Sequence, residues 1–128
     1  MDKDLLSIQE TRDLVSKAKN AQKEYKTYTQ EQVDKIVLAM VEAGAKNAEK
    51  LAKLAVDESG IGKFEDKITK NIFATKILWE SIKNLKTVGV IGTEANGKII
   101  KIAEPMGVIA ALIPCTNPTS TAMFKAII

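Results

Sequence analysis

Apolar side chains recur at intervals of three and four residues through the first 87 positions, and past Thr87 that spacing is lost. Ser7-Ile-Gln-Glu10 has the serine-to-glutamate spacing of a capping box, and Ile8, Leu14, Val15, Ala18, Ala21 and Tyr25 follow at helical spacing. Thr29-Gln-Glu-Gln32 repeats the device ahead of Val33, Ile36, Val37, Met40, Val41 and Gly44, a stripe that ends near Asn47. Asn47 is placed to cap a third helix carrying Leu51, Leu54 and Ala55. Gly60, able to take the left-handed conformation, stops that helix. A fourth helix starts near Phe64 and runs through Ile68, Ile72, Phe73, Ile77, Leu78, Ile82 and Leu85. Trp79 lies on a neighbouring face, where apolar surroundings favour packing over a ligand-stacking role.

Beyond Thr87 the pattern turns to strands. Val88, Val90 and Ile91 predict a short strand, Asn96-Gly97 a hairpin turn, and Lys98–Ala103 the returning strand, with charged flanks that suit an exposed edge. After Pro105, Met106 to Ile113 is continuously apolar, as strands covered on both faces are, which predicts a deeply buried strand. Asn117-Pro118 is a strong helix start. The order of elements predicts an α/β fold in three parts: a helical segment over 1–87, a hairpin over 88–105, and a strand, turn and helix over 106–128 that opens a further domain. A doubly covered strand needs parallel neighbours, so the expectation is the front of a longer α/β protein.

Composition narrows the chemistry. The chain has 128 residues, 45% of them apolar, which is enough for a core. Its net charge of +3 is spread among interleaved lysines and acids, which argues against nucleic acid as a partner. No apolar run approaches the roughly 20 residues of a membrane-spanning helix, and the N-terminus lacks the basic and apolar regions of a secretory signal, so the expected location is the cytoplasm. Histidine is absent, which removes the commonest metal ligand and the usual general base; no metal site is expected. Gly60-Ile-Gly62 follows a helix and lacks the Gly-Lys-Ser/Thr ending of a phosphate loop, so it reads as a helix stop.

The turn after the apolar run is the place where chemistry would gather. Open α/β folds bind ligands at the carboxyl ends of their strands. The hydroxyls of Thr116, Thr119 and Ser120, the amide of Asn117 and the first N–H groups of the helix suit an oxyanion or a polar cofactor group, and equally suit a plain helix cap. Cys115, the single cysteine, is either a nucleophile or a small apolar filler; without a histidine to serve as its base, the second reading is favoured.

Ala103-Glu-Pro-Met-Gly-Val-Ile-Ala-Ala-Leu-Ile-Pro-Cys-Thr-Asn-Pro-Thr-Ser-Thr-Ala-Met-Phe-Lys125 closely resembles CoA-acylating aldehyde dehydrogenases, above all the aldehyde dehydrogenase half of bifunctional aldehyde-alcohol dehydrogenases. Tyr28-Thr-Gln-Glu-Gln-Val-Asp-Lys-Ile36, Ala55-Val-Asp-Glu-Ser-Gly60 and Glu65-Asp-Lys-Ile-Thr-Lys-Asn71 are similar to the same family's N-terminal helices. The resemblance implies the N-terminal helices, hairpin arm and first strand-turn-helix of an aldehyde-dehydrogenase-type Rossmann-like domain. It implies a homo-oligomer, with the hairpin in the oligomerisation arm, and an enzyme that converts an aldehyde, NAD and coenzyme A reversibly to acyl-CoA and NADH. Ile113, Pro114, Cys115 and Thr116 would border the NAD cofactor, and Asn117 would serve the aldehyde oxyanion. Hydrolytic members carry Pro-Trp-Asn where this chain has Pro114-Cys115-Thr116, so simple alignment places their amide on Thr116, one residue before Asn117. The family's nucleophilic cysteine lies far beyond residue 128, which implies a chain inactive by itself. The competing expectation is a complete helical and hairpin module that binds or assembles with protein partners and has no catalytic role.

Overall fold

The computed structural model describes residues 2–128, which form six α-helices, a π-helical turn and one hairpin. Helix α1 (Lys3–Tyr25) starts at Asp2, whose carboxylate accepts the Asp4 amide, and not at the Ser7–Glu10 box. An earlier cap leaves Ser7 inside the helix, where its carbonyl accepts the Thr11 hydroxyl. Helix α2 (Gln30–Lys46) begins at the residue after Thr29, as the spacing predicts. Val41 and Gly44 are buried, and Val33, Ile36, Val37 and Met40 half-buried, on one face. Helix α3 (Ala48–Ser59) ends on Gly60 at φ 65°, whose N–H returns to the Val56 carbonyl. Asn47 stands ahead of α3 but makes no side-chain cap bond; its amide donates instead to Ala43 of the preceding helix, at 2.9 Å.

The fourth predicted helix is three segments in line: α4 (Phe64–Ile72), a π-helical turn (Phe73–Ile77) and α5 (Leu78–Ile82). Its buried face differs from the apolar stripe. Lys67, Asn71, Ala74 and Thr75 are buried, whereas Phe73, Ile77 and Leu85 are exposed and Trp79 is half-buried. The polar members of that face reach partners. Thr75 donates its hydroxyl to the Asn71 carbonyl at 2.7 Å within the helix, and the Asn71 amide donates to the Ala48 carbonyl at 2.8 Å. Hydrogen bonding of this kind offsets the cost of burying an amide and a hydroxyl.

Strands β1 (Gly89–Glu94) and β2 (Ile99–Ala103) pair antiparallel, with a register irregularity between Val90 and Gly92. Ala95, Asn96 and Gly97 turn through positive φ, the conformation that makes Asn-Gly a turn signal. Val90, Ile99, Ile100 and Ile102 remain exposed, and Glu94 pairs with Lys101 across the ladder. Residues 104–117 form neither strand nor helix. The predicted burial of 106–113 is therefore overturned: Met106 is 91% exposed, Ile109 73% and Leu112 90%. An apolar run becomes a buried strand only when other strands supply its hydrogen bonds and helices cover its faces. Among the described residues neither is present, and Gly107, at φ 96°, departs from extended geometry.

Contacts group the chain into two units. One comprises residues 1–30 and 86–110, so that α1 is grouped with the hairpin. In it, Gln30 pins the start of the hairpin segment. Its carbonyl oxygen accepts the N–H groups of Thr87 and Val88 at 2.8 and 3.0 Å, and its amide donates to the Thr87 hydroxyl at 3.1 Å. The other unit comprises residues 31–85 and 111–128 and holds the core of α2, α3, α4 and the last helix, α6 (Pro118–Ile127).

Candidate functional site

Helix α6 starts where Asn117-Pro118 predicts, with proline in the first turn, but Asn117 does not cap it through its side chain. The side chain is engaged elsewhere. Lys70 Nζ donates to Asn117 Oδ1 at 3.1 Å, and one helical turn earlier Lys67 Nζ donates to the Thr116 carbonyl at 2.9 Å. Residues three apart share a helix face, which is why the two lysines of α4 meet two consecutive residues of the turn. Lys67 is 95% removed from solvent, and among the described residues neither lysine has a carboxylate in ion-pair range. A third bond joins the same elements: the Thr119 hydroxyl donates to Asn71 Oδ1 at 2.9 Å.

The turn is thus held from one side by Lys67, Lys70 and Asn71, while Ile113, Pro114, Cys115 and Thr116 lie exposed on the chain. Bends over Cys115–Asn117 make the corner. Cys115 carries an exposed free thiol, and no histidine exists in the sequence to deprotonate it. Since lysine can only donate, the bond from Lys70 assigns the oxygen and nitrogen of the Asn117 amide without ambiguity. Among the described residues no acceptor takes the two N–H bonds of Nδ2, which leaves them to a ligand.

Beside Asn117 an open cleft of about 450 Å³ runs between α4, the π-helical turn and α6. Phe73, Ala74 and Phe124 give it apolar walls, and Thr69, Lys70, Asn117, Ser120 and Thr121 edge it with polar groups. An apolar cleft with a few convergent donors suits a small molecule bearing one polar atom. Sequence reasoning found Asn117 and Ser120 but missed Lys67, Lys70, Asn71 and the two phenylalanines. The signal was present in Lys67, Asn71, Ala74 and Thr75, which fall at helical spacing on one face, but small and polar residues do not register as a core stripe.

Residues 5–128 match the model of the aldehyde dehydrogenase family. The chain is 48% identical over 122 residues to the bifunctional aldehyde-alcohol dehydrogenase of Escherichia coli K12, covering 95% of this chain and 14% of that protein. It is 44% identical over 115 residues to an acetylating succinate-semialdehyde dehydrogenase of Clostridium kluyveri, covering 90% of this chain and 25% of the relative. The crystal structure of an acetylating aldehyde dehydrogenase from Geobacillus thermoglucosidasius superposes with a TM-score of 0.95 at 48% identity, over 98% of this chain and 28% of that one. The chain therefore spans between one seventh and about three tenths of the length of these three proteins. Among the described residues no helix is long and apolar enough to cross a membrane.

Proposed function

Because the chain belongs to the aldehyde dehydrogenase family, with the N-terminal architecture of its acetylating members, we propose that it works as the N-terminal part of a cytoplasmic, homo-oligomeric enzyme that converts an aldehyde, NAD and coenzyme A to acyl-CoA and NADH. The observation that carries this reading is the 48% identity, at a TM-score of 0.95, to an acetylating aldehyde dehydrogenase over nearly the whole chain.

In this reading the aldehyde lies along the cleft beside α6, its alkyl part against Phe73 and Phe124 and its oxygen toward Asn117. The Asn117 amide donates N–H bonds to that oxygen as negative charge develops on it during attack at the carbonyl carbon. The attacking thiol comes from outside these residues, since Cys115 lacks a base and stands on the exposed side of the turn. Ile113, Pro114, Cys115 and Thr116 form the edge facing NAD. Their chemistry fits a nicotinamide: small apolar groups, uncovered, for a ring face, and a hydroxyl for its amide. When bound, NAD supplies the acceptor for the hydride that leaves as the aldehyde carbon becomes a thioester, whose acyl group then passes to the thiol of coenzyme A. The hairpin β1–β2, apolar and uncovered, serves as the arm that joins subunits.

The test is an assay at 340 nm of the protein expressed from the complete reading frame, given acetaldehyde, NAD and coenzyme A. NADH formation that depends on coenzyme A is expected from it, and none from the 128-residue chain alone. Turnover by the chain alone would overturn the assignment of the nucleophile, and no CoA-dependent NADH from the whole protein would overturn the reaction.

A further inference from the structure

We propose that Lys70 is a positioning residue: its ammonium fixes and polarises the Asn117 amide so that the Nδ2 N–H bonds face the aldehyde oxygen. The inference rests on the reading of Asn117 given above. The two lysines of α4 are used unusually. An exposed lysine on a helix is ordinarily solvated or paired with an acid, yet Lys70 reaches 47 positions along the sequence to a neutral amide oxygen at 3.1 Å. Lys67, buried, reaches 49 positions to the carbonyl of the preceding residue at 2.9 Å. Two cations spent on two consecutive residues of one turn hold both the peptide and the side chain of its corner.

The consequence for Asn117 is directional. A cationic donor on Oδ1 selects one of the two amide orientations, because an ammonium only donates and Nδ2 cannot accept from it. The trigonal geometry of the amide then aims Nδ2 away from Lys70. Withdrawal of electron density toward Oδ1 strengthens the remaining N–H donors, the sense in which hydrogen bonds in a chain polarise one another. An oxyanion donor acts through its preorganisation, so a freely rotating amide in the same place would contribute much less. Lys70 also brings a positive charge to the side of the cleft on which the oxyanion develops.

The test has two arms. In the 128-residue chain labelled with 15N, carrying Ile109→Lys and Leu112→Lys to suppress association through the exposed run from Met106 to Ile113, the Asn117 Nδ2 resonances are compared with and without K70M or K70R. They are expected to move in K70M and to return toward the wild-type position in K70R, with the backbone spectrum otherwise preserved. In the protein from the complete reading frame, K70M is expected to lower kcat for acetaldehyde about tenfold to a hundredfold, with the KM for NAD unchanged and K70R largely restoring the rate. The loss should vanish in an N117A background, where there is no amide left to orient. Unmoved Asn117 resonances in K70M overturn the positioning, and so does an equal loss with and without Asn117. Absence of CoA-dependent NADH formation in the unsubstituted protein overturns the enzymatic reading instead, and the resonances alone then decide whether Lys70 orients the amide.

Discussion

Asn71 and Thr119 join α4 to α6 through a hydrogen bond of 2.9 Å, while the other end of the same amide donates to Ala48 at the start of α3. One side chain, 1% exposed, therefore ties three helices together. Asn71→Ala removes both bonds, leaving the Ala48 carbonyl without this donor and a cavity at the junction. The expected loss is about 1–3 kcal/mol of stability, read as a lower denaturant midpoint. A midpoint equal to wild type would show that the helices are held without it.

Gly44 sits where α2 meets the π-helical turn and α6. A Cβ built there would lie 2.8 Å from both Thr75 Cγ2 and Met123 Sδ. Alanine in a helix gains about 1 kcal/mol over glycine, but overpacking costs about 1–3 kcal/mol, and the fully buried, β-branched Thr75 has little room to move. Gly44→Ala is expected to destabilise. Adding Thr75→Ser removes Cγ2, keeps the hydroxyl bonded to Asn71, and should recover part of the loss in thermal melts. A stabilised single variant would mean that the approach is looser than the geometry says.

Where burial follows the greasiest stripe, the sequence is legible. Val41 and Gly44 of α2 and the left-handed stop at Gly60 fall where the spacing puts them, and so does the start of α6 at Pro118. Legibility fails where partners decide. The buried face of α4 is chosen by hydrogen bonds to Ala48, Thr116 and Thr119, none of them local, and the apolar Phe73 and Ile77 stay outside. At the turn, Asn117 is apparent as a helix-start residue, but its engagement with Lys70 depends on a contact 47 residues distant. Gln30 is the same kind of case: helix spacing places it in a first turn, and only the fold shows it holding Thr87 and Val88.

Tyr28 gives a pH test of the first unit. Its phenol donates to Glu24 at 3.0 Å, and that hydrogen bond, then the carboxylate's charge, then slight desolvation hold its pKa above 10.0. A raised folded-state pKa means that the associated stability is present below the unfolded value near 10 and is lost as pH rises through the folded value. Ultraviolet titration of phenolate should show Tyr28 ionising above the ordinary range. Glu24→Gln should bring it back toward 10.0, and identical curves would remove the carboxylate as the cause.

The exposed run from Met106 to Ile113 predicts how the 128-residue chain behaves in solution. Met106, Ile109 and Leu112 present an apolar segment without a charge from Met106 to Pro114, and its backbone groups have no sheet partner among the described residues. Exposed, uncharged, strand-prone segments bind hydrophobic dyes and pair with copies of themselves. The chain should therefore raise the fluorescence of 8-anilinonaphthalene-1-sulfonate and associate as its concentration rises. Ile109→Lys with Leu112→Lys should suppress both effects and leave helix content by circular dichroism unchanged, because neither side chain belongs to the buried core. Dye binding no greater than that of a compact monomer would mean that the segment finds cover in solution, which would remove the physical reason for assigning it neighbours in a larger sheet.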